Sequence, residues 1–356
     1  MNFISVIMVI FSLLAAVDRI IGNRFGLSKE FEKGFMLLGN MALSMIGMII
    51  ISPFIAEVLS PFFEVFYNIF SIDPSIIPAT LFANDMGGAP LACEIAKNNE
   101  MGMFNALVVS SMMGATISFS IPYALGIVKK EVHRELFLGF LCGIVTIPIG
   151  SFVSGLILGL SVFELILNLL PLIIFSAVIA ISLLLFPEIC VKIFSIFGKI
   201  IKIIITIGLG LGILKFLTGI EIIKGLGTIE DGAAICVNAA VVLSGAFPLM
   251  YIISKILSKA IKKLGNKMGV NTISATGVIS TLVTNATTFE MMNSMDKKGV
   301  MINAAFAVSA AFVFGGHLAF TMAFDASYIT SVIIGKLISG VFALALSLLI
   351  YKRIYK

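Results

Sequence analysis

Long apolar runs alternate with short polar segments along most of the chain. A helix needs about 20 apolar residues to cross a hydrocarbon core of about 30 Å. Nine runs are long enough, and they predict membrane-spanning helices over residues 3–22, 34–58, 101–128, 135–159, 163–186, 200–219, 233–254, 300–324 and 329–350. The pattern therefore predicts an all-α integral membrane protein, with one transmembrane transport domain over residues 1–356.

Two further stretches, 72–95 and 270–292, are apolar but interrupted. The first contains three prolines and the run Asn84-Asp85-Met86-Gly87-Gly88, and the second contains Asn285, six threonines and Glu290. Non-helical backbone is tolerated at membrane depth only where protein or a water-filled cavity satisfies it. We therefore predict that both stretches are broken, re-entrant elements rather than full spans.

Composition supports a membrane protein and narrows the function. The 356 residues are 59% hydrophobic and only 12% charged, whereas a soluble domain carries about 25% charged residues. Sequence signatures of metalloproteases, serine hydrolases and phosphate-binding loops are absent from the sequence. The chain is thus predicted to be no enzyme, to need no cofactor or metal, and to bind no nucleic acid. Its four cysteines are widely spaced and are expected to be free.

Lysine and arginine placement predicts the orientation. Loops rich in these residues face the cytoplasm. If both interrupted stretches return to the side on which they start, nearly all loop Lys and Arg fall on one side, whereas the loops near 60–71, 160–162 and 325–328 carry none. This arrangement places the N-terminus outside and the C-terminus in the cytoplasm.

The two interrupted stretches also belong to a sparse internal repeat, over about 34–129 and 233–327. Thr80-Leu81 and Asn84 correspond to Thr281-Leu282 and Asn285 at an offset near 201. The charge-derived topology makes the two copies inverted, as in many secondary transporters, although chance similarity between apolar sequences is the alternative. Residues 61–67 and 255–267 are predicted to form amphipathic helices at the two interfaces.

Asp85 is the most distinctive candidate for a binding role. A carboxylate at membrane depth costs about 2.5–3.5 kcal/mol on the insertion scale and therefore faces a cavity or a partner. It could be the counter-ion of a cationic solute, or alternatively a helix cap or the partner of a lysine. The neighbouring Asn84, Gly87 and Gly88 would expose backbone groups at the broken helix, and Ser111 lies in the span beside it.

The opposed broken element offers a second set of polar groups. Asn285 and Thr287 could bind a hydroxyl group of a small solute. Glu290 is either a second carboxylate of the site or an interfacial residue near Lys297. His317, inside an apolar span, either contacts the solute or a proton, or is a buried residue with satisfied hydrogen bonds.

The chain resembles the ethanolamine permeases of bacterial ethanolamine-utilisation systems, the EutH family, along nearly its whole length. The segments that carry this resemblance are 18–20, 31–35, 85–88, 111–114, 120–122, 143–150, 295–299 and 303–312. The resemblance implies a multi-pass protein of the bacterial cytoplasmic (inner) membrane that admits ethanolamine for catabolism. Two positions depart from the family pattern: Gly316 stands where relatives often carry an acidic residue before the histidine, and residues 284–287 read Thr-Asn-Ala-Thr instead of Asn-Asn-Ile-Pro.

Three functions remain open from sequence. The first is a permease for a small cationic aminoalcohol, most simply ethanolamine, with Asp85 on the ammonium group. The second is a Na⁺- or H⁺-coupled transporter of another small polar metabolite. The third is a membrane sensor or scaffold that transports nothing. The expected partners are the small-molecule substrate and the lipid bilayer, with homo-oligomerisation left open.

Overall fold

A computed structural model describes the backbone of residues 3–355 and all of their side chains except those of 191, 257–262, 264 and 266. This part of the chain is helical and contains no strand. The α-helices are α1 (Phe3–Ile20), α2 (Leu27–Met36), α3 (Leu38–Phe70), α4 (Ile76–Leu81), α5 (Gly88–Ile95), α6 (Asn99–Phe104), α7 (Ile121–Ile127), α8 (His133–Ile144), α9 (Ile147–Ile157), α10 (Val162–Leu185), α11 (Pro187–Thr218), α12 (Ile229–Met268), α13 (Thr272–Val283), α14 (Asn285–Met291), α15 (Lys297–Ser309), α16 (Gly316–Asp325) and α17 (Ile329–Ile354).

Within the described residues, eight helical segments are long and apolar enough to cross a membrane. They are Phe3–Ile20, Leu27–Phe70, Asn99–Ile127, Lys130–Ile157, Val162–Leu185, Pro187–Thr218, Ile229–Ile256 and Gly316–Ile354. The prediction of an all-α integral membrane protein is therefore confirmed. The predicted number of nine spans stays a prediction.

The segment Asn99–Ile127, here called the central helix, is the most deeply enclosed of these candidates. In its most apolar 18-residue window, 94% of the residues are buried inside the protein, compared with 22% in Pro187–Thr218. Between α6 and α7 it winds as π-helix over Asn105–Gly114 and Thr116–Ser120. A helix enclosed by protein can carry polar residues at its core, whereas a helix exposed to lipid must present apolar side chains.

The helices that precede the interrupted stretches continue farther than the sequence predicted. Helix α3 has 33 residues and α12 has 40, so at 1.5 Å per residue they are about 50 and 60 Å long. Residues 61–67 and 255–267 are helical as predicted, but they continue α3 and α12 instead of forming separate helices, and their location at the interfaces stays a prediction. The side chains of 257–262, 264 and 266 lie outside the described residues.

The first interrupted stretch folds back on itself as a hairpin, here called hairpin one (residues 72–98). Asp73 at its start accepts hydrogen bonds from the backbone N–H groups of Lys97 and Asn98 at its end, at 3.0 and 2.8 Å. The other oxygen of Asp73 accepts bonds from the backbone and hydroxyl of Ser75. The two ends of this stretch thus meet at one place, as a re-entrant element requires.

The second interrupted stretch, here called hairpin two (residues 271–296), closes in the same way with the carboxylate at its other end. Asp296 accepts bonds from the backbone N–H of Asn271 and from the hydroxyl of Ser274, at 3.0 and 2.7 Å. Asn271 also caps α13 by accepting from the backbone N–H of Ser274. Each hairpin is therefore fastened at its base by one aspartate.

A third break, in residues 310–315 (the unwound segment), contradicts the prediction of one continuous helix over 300–324. Here the backbone N–H groups of Phe312 and Phe314 donate to the carbonyls of Thr281 and Leu282 in hairpin two, at 3.1 and 2.8 Å. A Cβ atom on Gly315 would lie 2.0 Å from the carbonyl oxygen of Val283, so only glycine permits this approach. Tertiary hydrogen bonds to hairpin two therefore replace the helical bonds of this segment.

Candidate substrate-binding site

The tips of both hairpins and the unwound segment meet at one large cavity of about 1190 Å³. Its lining includes Asp85, Thr287 and His317 from the hairpin tips and the start of α16, together with Lys33, Ser254 and Thr276 from α2, α12 and α13. The charge pattern predicts that the basic loops around Arg24–Lys33 and Lys255–Lys267 lie on one side of the membrane. The cavity reaches these loops, because Lys33 and Ser254 are among its lining residues.

Asp85 lies at the broken tip of hairpin one, in the 3₁₀ turn Asn84–Met86. The turn is closed by the carbonyl of Ala83, which accepts from the backbone N–H groups of Met86 and Gly88 at 3.0 and 2.8 Å. Helix α5 begins three residues after Asp85, and the positive N-terminal end of its backbone dipole favours a negative charge on Asp85. Asp85 is half-buried and lines the cavity, so its carboxylate can meet a solute.

Gly87 and Gly88 shape this turn, and they are not among the cavity-lining residues. Gly87 has a φ angle of 104°, a left-handed conformation that side chains disfavour, and a Cβ atom there would lie 2.0 Å from Cγ of Met48. A Cβ atom on Gly88 would lie 2.2 Å from the carbonyl oxygen of Phe82. The structure thus gives both glycines a packing role at the tip.

The two predicted asparagines are buried beside the hairpin tips. Asn84 is fully buried, and neither polar atom of its side chain has a partner among the described residues. Asn285 donates from Nδ2 to the hydroxyl of Ser120 at 2.7 Å, while its Oδ1 has no described partner. Both side chains therefore retain hydrogen-bonding capacity close to the cavity wall.

Hairpin two contributes Thr287 to the cavity but directs Glu290 elsewhere. Thr287 is exposed on the cavity wall together with Thr284 and Ala286. Glu290 accepts a hydrogen bond from the hydroxyl of Tyr123 at 3.2 Å and is not among the residues that line the cavity. The geometry brings Thr287, and not Glu290, to the same space as Asp85.

His317 follows the unwound segment as the second residue of α16, with only 3% of its surface exposed. Its ring lies 4.8 Å from that of Phe312, centroid to centroid. Phe312 has a φ angle of 59°, a strained conformation for an aromatic residue. Such strain persists where surrounding contacts impose it and concentrates at functional sites.

Gly316, just before the histidine, keeps the space beside Asp85 open: a Cβ atom there would be 3.9 Å from Asp85 Oδ2.

Lys336 is the residue of this site that the sequence predictions missed. It is fully buried in α17, and its Nζ donates to the carbonyl oxygen of Ser111 at 2.5 Å and lies 3.1 Å from Nδ1 of His317. Ser111 therefore takes part through its backbone, while its hydroxyl donates to Val108. The sequence offered one signal that could have identified it, because Lys336 is the one charged residue of the predicted span 329–350.

Together, the membrane-spanning helices, the two re-entrant hairpins and a polar cavity at their tips define a polytopic membrane transport protein. The chain is matched over residues 1–350 by the profile of the family described as "Ethanolamine utilisation protein, EutH". It belongs to this family, and the three relatives described next are named as probable permeases and not as enzymes.

Curated relatives support this assignment over nearly their whole length. The chain is 45% identical to the "Probable ethanolamine permease EutH" of Listeria monocytogenes over 350 residues, which are 98% of this chain and 94% of the relative. It is 39% and 38% identical to the proteins of the same name from Salmonella typhimurium and Escherichia coli K12, covering 99% of this chain and 96% of each relative. No solved structure matches the sequence significantly.

Proposed function

We propose that this permease takes up ethanolamine in its protonated form across the bacterial cytoplasmic membrane. The observation that carries the proposal is the carboxylate of Asp85, which lines the cavity at the tip of hairpin one. A primary amine is protonated at neutral pH, with a pKa near that of lysine, about 10.4. An ammonium group entering the cavity therefore finds a fixed counter-ion in its wall.

The rest of ethanolamine fits the polar groups around Asp85. The hydroxyl group of ethanolamine can both accept and donate a hydrogen bond. The hydroxyl of Thr287 and the ring of His317, which line the cavity, can serve as its partners. The cavity, about 1190 Å³, is much larger than this small solute. The binding site is accordingly the part of the cavity around Asp85, and the rest of the cavity is an aqueous vestibule. The proposed site contains Asp85, Thr287 and His317, with Asn84 and Asn285 adjacent, and it assigns no role to Glu290.

Uptake of labelled ethanolamine into proteoliposomes tests this function. Removing one partner of a buried charge pair costs about 3–5 kcal/mol, so Asp85→Asn is expected to lower apparent affinity by roughly 100-fold or more. Glu164→Gln is the matched control, because it removes one carboxylate at the exposed start of α10 and should leave uptake unchanged. Full uptake by Asp85→Asn, or no competition by unlabelled ethanolamine in the parent protein, would overturn the proposal.

A further inference from the structure

Lys336 places an ammonium group inside the protein, close to the site proposed for another ammonium group. Its side chain is fully buried, and a lysine at such a depth is costly unless it is paired or loses its charge. Its two described hydrogen-bonding partners, the carbonyl of Ser111 and Nδ1 of His317, are both uncharged acceptors. The carboxylate of Asp85 lies near this pair, because a Cβ atom on Gly316, the residue before His317, would be 3.9 Å from Asp85 Oδ2.

Charged groups from the other helices packed against α17 lie far from Lys336. The charged residues of α8 and α15 surround Glu135, which accepts from the hydroxyl of Tyr355 and pairs with Lys297. Tyr355 is nineteen residues beyond Lys336, or about 28 Å along a helix. Helix α9 carries no charged residue. At the other end, Asp325 of α16 accepts bonds within its own turn from Ser327. Asp85 and His317 therefore dominate the electrostatic surroundings of Lys336.

A cationic substrate changes the charge balance of this cluster. With the site empty, the positive charge of Lys336 and the negative charge of Asp85 offset each other. When an ammonium substrate binds Asp85, two cations share a single carboxylate in a medium of low dielectric constant. Like charges at short range repel strongly there, and buried groups commonly respond by neutralising.

We propose that binding of the cationic substrate at Asp85 releases the proton of Lys336 into the cavity through His317. This inference rests on the proposed function, because it requires a cation at Asp85. It makes Lys336 the residue that couples substrate binding to proton movement, and it predicts exchange of a substrate cation for a proton at each binding event.

The geometry supplies a path for this proton. While Lys336 is charged, its Nζ donates to Nδ1 of His317, so the ring carries its own proton on Nε2. On substrate binding, Nδ1 takes the proton from Nζ while Nε2 gives its proton to water in the cavity. The N–H bond of Lys336 breaks, an N–H bond forms at Nδ1, and the Nε2 proton leaves as hydronium. The histidine stays neutral, and Nε2 becomes an acceptor to which the substrate hydroxyl can donate, since His317 lines the cavity.

Calorimetry on the purified full-length protein in detergent tests the proposal without any mutation. Ethanolamine hydrochloride is titrated at one pH in two buffers with different ionisation enthalpies. About one proton should be released per bound substrate, because the cluster holds one lysine. The two measured binding enthalpies should therefore differ by about the difference between the ionisation enthalpies of the two buffers. Binding with identical heats in both buffers would refute the coupling. Absence of any binding would refute the proposed function instead.

Two substitutions assign the proton to Lys336. Lys336→Met removes the titrating group, so ethanolamine should bind with the same measured heat in both buffers. Lys336→Arg keeps a permanent positive charge, so binding should weaken by at least about 10-fold and release no proton. If Lys336→Met fails to purify as a monodisperse protein, Lys336→Arg alone decides the question. Undiminished proton release by either purified variant would contradict the assignment to this residue.

Discussion

At the residue scale, the site depends on side chains whose position the sequence reveals to different degrees. Asp85 was predictable as a site residue, because a carboxylate within a broken apolar run is energetically costly unless it has a functional role. Lys336 was equally visible as a charge, but a long lysine chain can reach an interface from a buried backbone position. Its connection to His317 depends on the packing of α16 against α17, which sequence spacing does not encode.

Gly87 offers the sharpest test of the geometry at the tip of hairpin one. Its φ angle is 104°, and an added Cβ atom would overlap Met48 at 2.0 Å. Left-handed backbone costs about 1–2 kcal/mol in a non-glycine residue and overpacking about 1–3 kcal/mol. Gly87→Ala should therefore destabilise the protein by about 2–5 kcal/mol and reduce ethanolamine uptake.

Thermal unfolding in detergent measures this effect through the native cysteines. Cys142, Cys190 and Cys236 are free and buried, so a thiol-reactive dye reports their exposure on unfolding. Gly126→Ala is the control, since Gly126 lies within α7 with nothing near an added Cβ atom. Equal melting temperatures for Gly87→Ala and the parent protein would show that the tip does not have the described geometry.

At the element scale, the sequence predicted two broken elements and missed the third. Prolines, glycines and polar residues interrupt the apolar runs at 72–95 and 270–292. The unwound segment reads Ala-Ala-Phe-Val-Phe-Gly, which is apolar enough to continue a helix. Its helical hydrogen bonds are replaced by hydrogen bonds to the carbonyls of Thr281 and Leu282. These partners are distant in sequence, so no local pattern predicts them.

The base of hairpin one gives a second test at this scale. Asp73 accepts four hydrogen bonds, which join Ser75 at the start of the hairpin to Lys97 and Asn98 at its end. Hydrogen bonds to a charged group contribute about 1.5–3 kcal/mol each and are not additive. Asp73→Ala should lower stability by about 3 kcal/mol or more, measured by the same cysteine-exposure assay. The same substitution at the exposed Glu164 should leave the melting temperature nearly unchanged, and an equal loss there would argue against a special role for Asp73.

At the scale of the whole molecule, hydrophobic patterning predicted the class of fold, whereas the extents of the helices required the structure. Segments 163–186 and 329–350 correspond closely to α10 and α17. The predicted span 200–219 begins thirteen residues earlier, at Pro187, because the preceding residues are also apolar and favour helix. The internal repeat over 34–129 and 233–327 stays a prediction.

Orientation in the membrane is the remaining prediction for the molecule as a whole. The basic loops place the mouth of the cavity, near Thr276, on the cytoplasmic side, and the base of hairpin one, near Ser60, on the outside. Both residues are exposed in the structure. A membrane-impermeant thiol reagent applied to intact cells should label Ser60→Cys and leave Thr276→Cys unlabelled, and inside-out vesicles should give the reverse. Labelling of Thr276→Cys alone in intact cells would mean that the chain lies in the opposite orientation, with the cavity open to the outside.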